Sequence, residues 1–129
     1  MANLDKESII GIAALLVHAA NIDEIYTEHE KNLIKDFIKS YMQNYDTDEI
    51  LKTAEINEKN SNQLLNYTNI IKQKSIELKK DIIEHLWKVI ISDNSVDQYE
   101  SNLMRRICGL IYFSDKECAE IKLKLLNSK

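Results

Sequence analysis

Residues 9–33 read IIGIAALLVHAANIDEIYTEHEKNL. The first part, Ile9 to Val17, carries no charge, and its apolar residues recur at Ile9, Ala13, Leu16 and Ala20, the three-and-four spacing of a helix. A helix apolar on nearly all sides has no face to offer water, so its neighbours must bury it. The run is far shorter than the roughly 20 residues that cross a bilayer, which makes it the predicted centre of a soluble bundle. An acidic turn follows, with Asp23, Glu24, Glu28 and Glu30 and no lysine or arginine between them. Thr27-x-x-Glu30 inside it has the form of a capping box, in which cap hydroxyl and glutamate satisfy each other's backbone N–H.

The same logic extends along the chain. No proline interrupts it, and no stretch alternates at period two, so strands have no support. Asp46-x-x-Glu49 and Ser114-x-x-Glu117 repeat the capping box, Asp97-x-x-Glu100 is its aspartate version, and Ser61 and Ser75 are further N-caps. These signals predict helices near 4–20, 27–44, 47–58, 61–73, 75–92, 97–111 and 114–127. The fold class is all-α: one domain over 1–129, a bundle of about seven helices, with 129 residues enough to bury a core. The fifth helix, with Ile82, Ile83, Leu86, Trp87, Val89, Ile90 and Ile91, is expected beside the first. The polar segment 46–73 is expected at the periphery, with a loop from Asn57 to Asn62.

An internal echo organises these helices. Set over one another at an offset of 70, AANIDEIYTEHEKNL from Ala19 and VIISDNSVDQYESNL from Val89 align Asp23 with Asp93 and Glu30 with Glu100. Asn32 and Leu33 fall on Asn102 and Leu103, and the caps Thr27 and Asp97 coincide. The bundle is thus read as two pseudo-symmetric helix–turn–helix units.

An apolar helix, a turn of the form A-D-G-x-[VI]-[DS]-x-x-E and a second helix, all occurring twice, resemble the tellurite-resistance TerB family. The second unit carries the closer match, Ser92-Asp93-Asn94-Ser95-Val96-Asp97-Gln98-Tyr99-Glu100, and Phe113-Ser114-Asp115-Lys116-Glu117 stands where the family often shows L-G-L-S-D-x-E. Leu86-Trp87 ahead of the turn also fits. Glu24 and Asn94 occupy the family's glycine position, Asn being the milder change because it tolerates positive φ. The resemblance implies an all-helical domain with an approximate two-fold, a link to bacterial stress responses, and acidic turn residues that act as metal chelators.

The residues themselves allow two readings of these turns. In one, Asp23, Glu30, Asp93, Asp97 and Glu100 hold a divalent cation, Ca²⁺, Mg²⁺ or Mn²⁺ being the ions that suit carboxylate oxygens. In the other the same groups only cap helices, where the macrodipole favours a first-turn carboxylate by about 0.3–1 kcal/mol. Asp93, Ser95 and Asp97 match the opening of an EF-hand, but Gln98 replaces its glycine and Met104 its last glutamate. The corresponding functions are a non-enzymatic stress-response module that binds a cation, or a protein-interaction or co-chaperone-type scaffold whose partner is another protein.

Other classes are disfavoured. The net charge of −4 argues against nucleic-acid binding, which rests on neutralising phosphates. Two glycines cannot form a G-x-G-x-x-G or a P-loop, and neither G-x-S-x-G nor H-E-x-x-H occurs. The first residues lack the basic region of a signal peptide, so a cytoplasmic protein without membrane insertion is expected. Cys108 and Cys118, ten apart, read as reduced core thiols. His18 and His85 read as hydrogen-bonded boundary residues, and His29 as exposed. Tyr41, Tyr45, Tyr67, Trp87, Tyr99, Tyr112 and Phe113 read as core and boundary aromatics, and the lysines of 72–80 and 116–129 as solvated faces.

Overall fold

Asp5 opens the first helix: extended at φ −75° and ψ 165°, it accepts the Ser8 amide on its carboxylate at 2.9 Å. This helix, α1 (Lys6–Ala20), ends at Asn21, whose N–H returns to the Val17 carbonyl at 3.0 Å. The computed structural model describes residues 5–21, 26–41, 46–60, 64–91 and 98–127. Within them α1 is followed by α2 (Glu28–Tyr41), α3 (Thr47–Asn60), α4 (Leu64–Lys72), α5 (Ile76–Ile91), α6 (Gln98–Leu110) and α7 (Asp115–Asn127). No strand occurs among the described residues, and no helix there is long and apolar enough to cross a membrane. Each helix falls within a few residues of its predicted place. Asp46 caps α3 through the Asp48 and Glu49 amides, Ser75 caps α5 through Leu78, and Ser114 caps α7 through Glu117. Ser61 and Asp97, the other expected caps, lie outside the described residues.

The missing polar face of α1 dictates the packing. Ile9, Ile12, Ala13, Ala14, Leu15 and Leu16 are fully buried, beneath α2, α3, α4 and α5. A fully buried Leu or Ile contributes about 1.5–3 kcal/mol relative to an exposed one, so this helix anchors the core. Helix α4 comes close to it at Gly11, where a Cβ would stand 2.5 Å from Ile70 Cδ1.

The echo in the sequence is an echo in space. Helix pairs α1–α2, α2–α3 and α1–α3 have their counterparts in α5–α6, α6–α7 and α5–α7. The starts of α1 and α5, Lys6 and Ile76, and of α2 and α6, Glu28 and Gln98, are both separated by 70 positions. The buried residues keep that register: Glu30, Ile34, Phe37 and Ile38 of α2 answer to Glu100, Met104, Ile107 and Cys108 of α6. In α1 and α5, Ile12, Ala13, Leu16 and Val17 answer to Ile82, Ile83, Leu86 and Trp87. The repeat is therefore a three-helix unit, one helix longer than the echo alone indicated, with α4 inserted between the copies.

Four expectations are corrected. The polar segment is not merely peripheral: α3 lays Ile50, Leu51 and Ala54 against the core, its charged residues lying on the other face. Asn57 to Asn60 form the last turn of α3 rather than a loop. That turn is held from outside, by the Tyr67 hydroxyl donating to the Asn57 carbonyl at 3.3 Å and by His18 Nδ1 lying 3.4 Å from Glu58 Oε1. Lys79 is buried, because it occupies the α5 position that Ile9 holds in α1. Tyr112, expected at the core boundary, is 70% exposed and is the one described non-glycine residue at positive φ, 60°.

Tyr112 ends α6 in a Schellman turn: the Phe113 N–H bonds to the Cys108 carbonyl at 2.8 Å and the Tyr112 N–H to Gly109 at 3.4 Å. Most chains place glycine here, since a Cβ in the left-handed region costs about 1–2 kcal/mol. The Tyr112→Gly variant is expected to be more stable than Tyr112→Ala by about 1 kcal/mol in urea denaturation, reversing the ordinary helix-propensity order of the two residues.

Candidate functional site

The first acidic turn reaches α2 through Thr27 and Glu30. The Thr27 N–H donates to Glu30 Oε1 at 2.7 Å and its hydroxyl to the same oxygen at 3.0 Å. The Glu30 N–H donates in return to Thr27 Oγ1 at 3.1 Å. This is the capping box predicted from Thr27-x-x-Glu30, and it leaves Glu30 only 7% exposed. Glu100, at the matching position of α6, is 4% exposed. Both carboxylates sit in the first turn of a helix, where the exposed N–H groups favour negative charge. Asp23, Asp93 and Asp97 lie outside the described residues.

Burial removes a carboxylate from water and is tolerated only where hydrogen bonds replace the lost solvation. Among the described residues no buried side-chain oxygen or nitrogen lacks a partner. Nor do the described residues contain a group of three or more His, Cys, Asp or Glu placed to hold a metal ion. His18 and His85 are boundary residues, as expected. His85 Nδ1 lies 2.8 Å from the Asp81 carbonyl, and its ring meets Phe37 edge-on at 5.0 Å.

The surroundings of the first turn are less acidic than the sequence window. Between α2 and α3 runs a shallow cleft of about 230 Å³ lined by Glu28, Lys31, Lys35, Asp48, Lys52 and Glu55. Lys35 Nζ lies 2.9 Å from Asp48 Oδ1, which raises the lysine and lowers the aspartate from their ordinary pKa values. The Lys31 ammonium stands 5.1 Å from the centre of the Tyr26 ring. Three ammonium groups thus balance three carboxylates, an arrangement that the acidic run of 23–30 does not reveal because the lysines come from later turns.

Two tyrosine–carboxylate pairs tie neighbouring helices together, one within the first copy of the repeat and one between the two copies. The Tyr26 hydroxyl donates to Glu55 Oε2 at 2.7 Å, joining the start of α2 to α3, and the Tyr41 hydroxyl donates to Asp81, joining α2 to α5. Burial first, and then the carboxylate acceptor, push both phenols well above their usual range. Nothing in the local sequence marks either pair. A further group, Trp87 with Cys108 and Cys118, lies on the far side of α5 and is described below.

The family model described as tellurite resistance protein TerB matches residues 10–123. No curated protein and no solved structure matches the chain.

The raised tyrosines set an alkaline limit. A group whose pKa is raised by folding contributes stability fully present below its unfolded value, near 10 for tyrosine, and lost as pH rises beyond it. In urea denaturation from neutral to alkaline pH, Tyr26→Phe and Tyr41→Phe are each expected to be less stable at neutral pH, by about 0.5–1.5 kcal/mol for the lost hydrogen bond. Each should also lose less stability than the parent above pH ~10. Parallel curves for parent and variants would overturn this account.

Proposed function

The chain belongs to the TerB family of tellurite-resistance proteins, and from that premise we propose that it is a non-enzymatic stress-response module acting by binding, with its acidic elbows holding a divalent cation. The observation that supports this is the matched burial of Glu30 and Glu100, one in each copy of the repeated unit. A carboxylate kept out of water in both copies gives each elbow a fixed negative group at its base. A carboxylate has about four lone-pair sites, and the Thr27 donors take only Oε1 of Glu30. Asp23, Asp93 and Asp97 supply the remaining oxygens in this reading, and an all-oxygen set takes Ca²⁺, Mg²⁺ or Mn²⁺.

A second reading is favoured by the closed capping box itself. Thr27 and Glu30 satisfy each other without any ion. The elbows are then structural, and the chain is a scaffold for another protein.

Glutamine separates the two, because it can close a capping box as glutamate does while carrying no charge. Amide NMR spectra are recorded while CaCl₂, MgCl₂ or MnCl₂ is added to the parent chain and to a Glu30→Gln, Glu100→Gln double variant. Cation binding predicts saturable changes confined to 21–31 and 92–101, weakened in the double variant, together with cation-dependent thermal stabilisation of the parent only. Unchanged spectra at millimolar cation, with a thermal midpoint indifferent to cation in both chains, would sink the chelating elbows and leave the scaffold.

A further inference from the structure

Cys108 of α6 and Cys118 of α7 lie together across the Schellman turn, close enough that each thiol is the largest influence on the other's ionisation. Both are free and buried, Cys108 completely and Cys118 to 6% exposure. A buried thiol pair in an apolar core is ordinarily inert, but this pair has three neighbours that change its chemistry. The Trp87 indole N–H points at Cys118 Sγ from 3.3 Å. The Lys122 ammonium sits 5.3 Å from the centre of the Trp87 ring. A cleft of about 200 Å³ between Trp87, Ser101, Arg105, Asp115 and Lys122 reaches Cys118.

The two sulfurs are therefore unlike. Cys108 lies against Cys118 and is wholly enclosed, both of which hold its proton in place. Cys118, with Cys108 beside it, accepts from Trp87 and feels the Lys122 charge, which together favour its thiolate over the opposing effects of burial and Asp115. The thiolate is the form that reacts with oxidants, and the cleft is wide enough for a molecule of two oxygen atoms.

We propose that Cys118 and Cys108 form a peroxide-responsive dithiol, with Cys118 as the oxidised thiol and Cys108 as the resolving one. The Cys118 sulfur attacks one oxygen of hydrogen peroxide and the O–O bond breaks. The departing hydroxide takes up the proton that Cys118 released, giving Cys118 sulfenic acid and one water. Cys108 then attacks that sulfur: the S–S bond forms, the S–O bond breaks, and the hydroxyl leaves with the Cys108 proton as a second water. Two thiols and one peroxide become one disulfide and two waters, the sulfurs supplying the two electrons that reduce the peroxide. The product staples α6 to α7, and a dithiol reductant reverses it.

The test uses the full chain, reduced and then exposed to hydrogen peroxide under native conditions, with circular dichroism verifying the fold of every variant. Thiol titration after denaturation should show both thiols lost. The intact mass should fall by about 2 Da, with peptide mapping placing the link between Cys108 and Cys118 and dithiothreitol restoring both thiols. Cys108→Ser, or Cys108→Ala should serine fail to fold, should leave a Cys118 sulfenic acid that dimedone captures. Cys118→Ser should leave Cys108 unmodified, and Trp87→Phe, which keeps a ring but removes the N–H, should slow thiol loss. The proposal is overturned if both thiols of the parent survive exposure that consumes glutathione in the same tube. It is equally overturned if Cys108 in Cys118→Ser is oxidised as fast as in the parent.

Discussion

A helix with no side to turn toward water constrains everything else in this molecule. From Ile9 to Ala20 only Ile10 and His18 of α1 are less than buried, and His18 lies at the edge of α3, against Glu58. Covering such a helix takes several partners, and α2, α3, α4 and α5 all pack on it. The requirement explains why α3, whose sequence is mostly polar, still presents Ile50, Leu51 and Ala54 inward. It also explains the glycine at position 11: α4 can close the last side of α1 only where the two helices come near enough for Ile70 to fill the place of a Cβ.

The repeated unit meets this constraint once, not twice. Ala14 and Leu15, fully buried in α1, correspond at the same offset to Glu84 and His85 in α5, which are only half-buried. The extra helix α4 covers α1, while α5 keeps a mixed face that meets Phe37 and Tyr41 of α2 through His85 and Asp81. The two copies thus share a backbone plan and a buried register but not a surface. The elbows share Glu30 and Glu100, whereas the Trp87, Cys108 and Cys118 group belongs to the second copy alone. At the same offset Trp87 and Cys108 answer to Val17 and Ile38 of the first copy, both plain hydrophobes, and Cys118 answers to Asp48.

Glu30 shows what a candidate site can and cannot disclose in advance. Its bond to Thr27 spans three residues and follows from local backbone geometry, so the T-x-x-E spacing is enough to foresee it. Its burial, matched by that of Glu100, is seen only in the folded chain. The charge nearby is also wider than the run of 23–30: Glu28 shares a cleft with Lys31 and Lys35 of its own helix and with Lys52 from α3. Cys108 and Cys118 were readable as core thiols from their apolar neighbours, but not as a pair with unequal acidity beside an indole N–H.

The sequence by itself determined the helices, their caps and the repeat, and with them the family to which the chain belongs. Those features depend on contacts within three or four residues or on a pattern preserved along the chain, and periodicity and spacing record both. Tertiary structure alone decided which side chains from distant helices meet: Tyr26 with Glu55 across 29 positions, Trp87 with Cys118 across 31, Tyr41 with Asp81 across 40. These meetings follow from the rotation and tilt that each helix adopts when the core packs around α1. That packing is a collective outcome of many weak, non-directional contacts, and no short stretch of residues encodes it.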